Sequence, residues 1–160
     1  MEKQLNKWSE IVVILQKKQL TIATMESCTG GGIANEITNI SGASAVLRES
    51  YVTYCNEAKI KQGVPEEVIS KYTVYSAETA VEMAKAVKAQ ATSDISVGVT
   101  GQLGRIDPNN PVDKLNCVWF AIINQDNKLV VKQIQVPNSE RKQQKEFVVD
   151  AVAETLLNVI

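Results

Sequence analysis

The stretch "MESCTGGG" at residues 25 to 32 sets a serine, a cysteine and a threonine beside three glycines, after the apolar run "LTIAT" and before the helically spaced "IANEITNI". Ser27 or Cys28 can attack an acyl carbon, and successive backbone N–H groups of Cys28, Thr29, Gly30 and Gly31 can bind an oxyanion or a phosphate. A glycine-rich turn with a serine cap fits the same letters, because the stretch is neither GxxxxGK[ST] nor GxGxxG. The chain contains no histidine. Ser-His-Asp and Cys-His catalysis and histidine-ligated metals are therefore excluded within one chain. A nucleophile here has to be activated by a lysine, a tyrosine, a carboxylate or a helix dipole.

Lys59 is the natural candidate to activate a serine, since a lysine in a dry site can lose its proton near neutral pH and act as a general base. Its plainer reading is a solvated lysine on a helix. Tyr54, five residues earlier, can relay a proton or orient that lysine. Cys28 lacks a histidine or ion-pair partner to populate its thiolate and reads as a packed small residue. Asp107 and Asp113 lie in a proline- and asparagine-rich loop, but two carboxylates without regular spacing are weak grounds for a cation site. Cys28, Cys55 and Cys117 are odd in number and form no CxxC pair, which points to free thiols.

Hydrophobic spacing supplies the elements that must position these groups. Leu5, Trp8, Val12 and Leu15 predict an amphipathic helix over 2 to 17, and "LTIAT" at 20 to 24 predicts a short buried strand. A helix over 30 to 40 and a strand over 46 to 54, ending at Tyr54, follow. A short helix starts at Asn56 as its cap and ends by Gly63 and Pro65, and "EEVISKY" adds a further helical turn. "SAETAVEMAKAVKAQA" is the clearest helix, capped by Ser76, with Ala77, Ala80, Val81, Ala84 and Val87 on the face that packs on a sheet. "DISVGVTG" is a strand, "LNCVWFAIIN" and "KLVVKQIQV" form a hairpin joined by "NQDNK", and a last helix runs from Ser139 to about Asn158. Its buried stripe is Phe147, Val148, Ala151, Val152, Leu156 and Val159. Met25, Met83, Trp119 and Phe120 read as core. This alternation predicts a three-layer α/β/α fold with a mixed sheet. In such sheets ligands bind beyond the carboxyl ends of parallel strands, so "ESCTGG", "YCNEAK" and "TGQLG", the last carrying Thr100 and Gly101, meet in one crevice if their strands are parallel neighbours.

A length of 160 residues with 44% hydrophobic residues fits one domain spanning residues 1–160. Seventeen basic and eighteen acidic residues give a net charge of −1, which attracts neither nucleic acid nor an anionic membrane. The N-terminal stretch lacks signal-peptide character, and every apolar run falls short of the ~20 residues that span a bilayer, so a cytoplasmic protein is expected.

The segments "ESCTGG", "YVTYCNEAK", "SAETAVEMA" and "VGVTGQLG", in this order from about residue 5 to the C-terminus, resemble the CinA C-terminal domain family, whose members include nicotinamide mononucleotide deamidases. The resemblance implies an amidohydrolase that converts nicotinamide mononucleotide to nicotinic acid mononucleotide and ammonia in pyridine nucleotide salvage. It implies Ser27 as nucleophile, Lys59 as general base and Tyr54 as a supporting catalytic residue. Backbone N–H groups around Cys28 to Gly30 would then hold the oxyanion, and substrate contacts are expected from Cys28, Thr29, Gly30, Gly31, Thr100, Gly101 and Arg141, with Arg105, which the family pattern does not supply, able to add charge from the other side. The resemblance calls for no metal or organic cofactor, and it implies a homo-oligomer acting on a small nucleotide. Two segments depart from the family pattern. Arg105 stands where a proline is usual, in "GQLGRIDPNNPVDKLNCVWF", with "DKLN" in place of Lys-Pro-Val-Gly. Near the last helix, Arg141 is shifted by one place, and Gln144 occupies a second arginine position, where it cannot give the bidentate anion contact of an arginine. Two other readings stay open on these departures. One is a divergent relative that binds another nucleotide or amide. The other is a regulatory or interaction domain, since the family also occurs fused to other modules.

Overall fold

A computed structural model of the chain describes residues 6–160. Leu5 and the first residues of the expected N-terminal helix lie outside the described residues. The helix α1 (Lys7–Lys18) starts where the Asn6 side chain accepts a hydrogen bond from Ser9 N–H at 2.8 Å. Then follow β1 (Ile22–Glu26), α2 (Gly32–Thr38), β2 (Leu47–Val52), α3 (Asn56–Lys61), α4 (Glu66–Tyr72) and α5 (Ala77–Ala91). The chain continues through β3 (Ile95–Gly101), β4 (Cys117–Ile123), β5 (Leu129–Gln135) and α6 (Arg141–Val159). As expected, Ser76 caps α5, accepting from Thr79 N–H at 3.2 Å.

The five strands form one mixed sheet in the order β2-β1-β3-β4-β5. β1 pairs in parallel with both β2 and β3, whereas β3 with β4 and β4 with β5 pair antiparallel. Every residue of β1 and β3 is buried, because helices cover both faces there. On one face Ile22, Val97, Val99, Phe120 and Ile122 pack with α1, α2 and α6. On the other, Ala23, Met25, Trp119 and Ala121 receive α5 through Ala80, Met83, Ala84 and Val87. Met25, Met83, Trp119 and Phe120 are thus core, and the α/β/α architecture is as expected. Among the described residues, no helix is long and apolar enough to cross a membrane.

Several boundaries differ from the sequence reading. β1 lies two residues later than "LTIAT", which makes Glu26 its last residue. β2 stops at Val52, paired with Glu26, so Tyr54 sits in the connection to α3 and not on a strand. Cys55, in extended backbone, precedes α3 in the capping place expected for Asn56, and the Asn56 amide is engaged elsewhere, with Asn110. The stripe on α6 is rotated. Val148, Val152 and Leu156 are buried as expected, but Phe147 is 44% exposed, and Gln144, Val149 and Ala153 take the inward positions. The rotation follows from α6 packing on α1 as well as on the sheet, with Lys7 of α1 salt-bridged at 2.7 Å to Asp150.

α5 lies close on the sheet because β3 has a glycine beneath it. A Cβ placed on Gly98 would lie 2.4 Å from the Ala80 carbonyl oxygen and 2.6 Å from the Ala84 nitrogen, both backbone atoms that cannot swing aside. Gly98→Ala is therefore expected to lower stability by about 2 kcal/mol or more through overpacking, measured as a shift in the urea unfolding midpoint.

Candidate active site

Strand order brings the polar loops together. The chain leaves β1 toward β2 on one side and leaves β3 toward β4 on the other, so the connections diverge and leave a crevice beyond the carboxyl ends of β1 and β3. A cleft of about 640 Å³ opens there, lined by residues of all three polar loops, including Ser27, Cys28, Tyr54, Asn56, Gly101 and Gln102. That volume lies within the range of small-molecule sites, about 300–1,000 Å³.

Ser27 follows directly on β1, and its N–H extends the ladder by donating to the Val99 carbonyl at 3.1 Å. Lys59 comes from the inner face of α3 and is only 2% exposed. Its Nζ donates to the Thr53 carbonyl at 2.7 Å and lies 3.1 Å from Ser27 Oγ. No carboxylate forms a salt bridge with it among the described residues. Burial pulls its pKa from 10.5 down to about 8, with the partial opposition of nearby anionic groups. The amine thus loses its proton far more readily than an ordinary lysine, becoming mainly neutral above about pH 8, and it lies within reach of one hydroxyl. Next to it Cys28 is buried, and desolvation pushes its thiol up to about 12, which leaves it protonated.

The glycine turn is a tight structure with specific hydrogen bonds. Gly30 N–H donates to the Ser27 carbonyl at 2.9 Å and Gly32 N–H to that of Thr29 at 3.0 Å, while Gly30 and Gly31 adopt φ of 59° and 89°. The Gly30 amide is therefore already used and cannot also hold an oxyanion. Among the described residues, the Cys28, Thr29 and Gly31 amides donate to no protein group, and of these three residues only Cys28 lines the cleft. The turn is fixed by Glu26, a carboxylate 1% exposed that accepts from Thr29 Oγ1 at 2.7 Å, Ile33 N–H at 2.9 Å and Ala34 N–H at 3.1 Å.

The other expected contacts divide into two groups. Gly101, Arg105 and Arg141 line the cleft with Cys28. Thr29, Gly30 and Gly31 do not line it, and Thr100 gives its hydroxyl to the Val74 carbonyl at 2.7 Å on the α5 side. Tyr54 is 61% exposed and its hydroxyl accepts from Arg141 at 2.9 Å, so it fastens the arginine and makes no hydrogen bond to Lys59. Gln144 is buried behind the cleft; its amide donates to Asn116 Oδ1 at 3.0 Å and to the Pro137 carbonyl at 3.1 Å, bracing the base of the third loop.

The model of the CinA C-terminal domain matches residues 5–160. The chain belongs to this family. It is 38% identical over 156 residues to a CinA-like protein of Kosmotoga olearia, covering 94% of this chain and 37% of that protein. It is 50% identical over 92 residues to a CinA-like protein of Chloroherpeton thalassium, covering 57% of this chain and 22% of that protein. The chain thus spans only about a third or less of the length of these relatives. The crystal structure of the competence/damage inducible protein CihA from Agrobacterium tumefaciens superposes with a TM-score of 0.85 at 26% identity, covering 99% of this chain and 98% of that one.

In this CinA C-terminal domain the sequence reading passed over Glu26, Tyr75 and Gln102. An acidic residue closing a buried strand directly before a glycine turn was the one available signal for Glu26, because that place commands the free N–H groups of the next helix. Tyr75 acts through Asp107, 32 positions away, and Gln102 through Asp107 and Val112 across an irregular loop, so neither carries a periodic signal. A buried, unpaired lysine costs stability. Lys59→Met is expected to stabilise the CinA C-terminal domain by roughly 1–3 kcal/mol at pH 7. Because the folded pKa lies below the unfolded one, the wild type recovers stability as pH rises from about 8 to 10.5, so the gain shrinks across that window. Denaturant titrations of both proteins at pH 7 and pH 10 check this.

Proposed function

We propose that the chain is an amidohydrolase acting on nicotinamide mononucleotide, with Ser27 as nucleophile and Lys59 as general base. The observation that carries this reading is the 3.1 Å approach of an uncompensated, buried Lys59 amine to Ser27 Oγ at the floor of a nucleotide-sized cleft. Neutral Lys59 takes the serine proton as Oγ adds to the carboxamide carbon, and the unpartnered amide of Cys28, which lines the cleft, receives the oxyanion, such a donor being worth roughly 3 kcal/mol. Lys59 then delivers its proton to the departing nitrogen, ammonia leaves, and water activated by the same amine hydrolyses the ester to the carboxylate. The Thr53 carbonyl holds Nζ in place through both half-reactions. Arg141, steadied by Tyr54, and Arg105 supply positive charge on the cleft wall for the substrate phosphate.

Purified protein incubated with nicotinamide mononucleotide is expected to release ammonia, and Ser27→Ala and Lys59→Ala each to lower the rate by ~10³-fold or more. Undiminished release in both variants overturns the mechanism. Nucleotide binding without release from the wild type points instead to a divergent relative with another substrate. Because the base must be neutral, kcat/KM is expected to rise with pH and level off above about 8, which a pH–rate profile measures.

A further inference from the structure

The third loop puts a carboxylate into the cleft that the acyl-transfer steps do not use. Asp107 Oδ2 accepts from the Tyr75 hydroxyl at 2.7 Å and from Asn110 Nδ2 at 2.9 Å, and Oδ1 accepts from Asn109 N–H at 2.9 Å. Asn110 in turn exchanges amide hydrogen bonds with Asn56 of α3 at 2.9 and 3.1 Å, less than one turn before Lys59. The Asp107 N–H donates to Gln102 Oε1 at 2.9 Å. The carboxylate is thereby fixed in position from three sides, with capacity on Oδ1 for one more donor. The Asn110 amide, followed by the Tyr75 hydroxyl, holds its pKa below the ordinary carboxylate value against partial burial. It is anionic wherever Lys59 is neutral, and it lines the same cleft as Ser27.

We propose that Asp107 determines specificity at this site, favouring a neutral or cationic carboxamide and disfavouring the corresponding carboxylate. This rests on the amidohydrolase reading, which supplies the chemical problem. The reaction turns an uncharged amide into an anion beside Ser27, and Lys59, whenever protonated, would retain that anion. A negative charge fixed in the cleft that Ser27 also lines acts on the group bonded to the carbon Ser27 attacks. It repels the acid product and favours a positively charged aromatic ring carrying the amide. The free Oδ1 position can accept from the amide N–H₂, a donor the acid lacks.

Binding measured without turnover tests this. In a Ser27→Ala background, calorimetry with nicotinamide mononucleotide and with nicotinic acid mononucleotide is expected to show the amide bound about tenfold more tightly, as one like-charge contact at moderate screening gives. Adding Asp107→Asn, which keeps an oxygen for Tyr75, is expected to bring the ratio near unity, mainly by tightening the acid. Asp107→Ser makes the same comparison if the Asn variant does not fold. Tyr75→Phe, which keeps the charge, should preserve the preference. An unchanged ratio on removing Asp107, or no binding of either nucleotide, overturns the proposal. Ammonia release by the wild type separates the two ideas. Release with an unchanged ratio removes only the role of Asp107, whereas a collapsed ratio without release removes the amidohydrolase reading and leaves the charge selection.

Discussion

A lysine amine kept dry without a counter-charge is the constraint on which the site depends. A carboxylate at Nζ would hold the proton on Lys59; burial without one lowers its pKa to about 8, and the amine lies 3.1 Å from Ser27 Oγ. Dryness requires α3 to be seated at the end of the sheet, and α3 is seated there because β2 ends at Val52 and Thr53 turns over the end of β1, donating to the Glu26 carbonyl at 2.8 Å. Parallel pairing of β2, β1 and β3 is thus the condition for a buried lysine and a serine to meet. The antiparallel half of the sheet contributes core and, through the long connection between β3 and β4, one wall of the cleft.

Glu26 and Lys59 place opposite demands on the same end of β1. The carboxylate is buried with a full set of donors, satisfied by the turn and by the start of α2, and so fixes the backbone that presents Ser27. The amine is buried with two partners, a carbonyl and a hydroxyl, and with no carboxylate among the described residues. One charge secures the scaffold, and the other stores free energy at the site, a division common where stability is traded for activity.

The sequence made the elements legible because their signals are local. The Ser76 cap, the period of α5 and the "NQDNK" connection each specify their own neighbourhood, and each appears in the fold. "ESCTGG" and "TYCNEAK" also pointed to Ser27 and Lys59 because fixed short motifs end adjacent strands. What escaped was set by tertiary packing. The rotation of α6 that exposes Phe147 and buries Gln144 depends on α1 and the sheet together. The commitment of Thr100 to Val74 depends on which face of β3 meets α5. Tyr54 looked like a partner for Lys59 by spacing, but the chain leaves β2 two residues earlier and turns it toward Arg141, 87 positions away.

The connection between β3 and β4 is held mainly by amides, carboxylate and hydroxyl: Gln102 on Val112, Asn116 on Gly104, Asn110 on Asn56 and Tyr75 on Asp107. Little apolar surface is buried along it, and Arg105, Ile106 and Leu115 remain exposed. Its cohesion is therefore separate from the hydrophobic cooperativity of the sheet, so it forms a local unit that opens at lower free energy than the whole domain. Amide exchange in this segment is accordingly decoupled from that of β1 and β3, and the cleft can lose its wall under mild denaturant while Ser27 and Lys59 still face each other on an intact sheet.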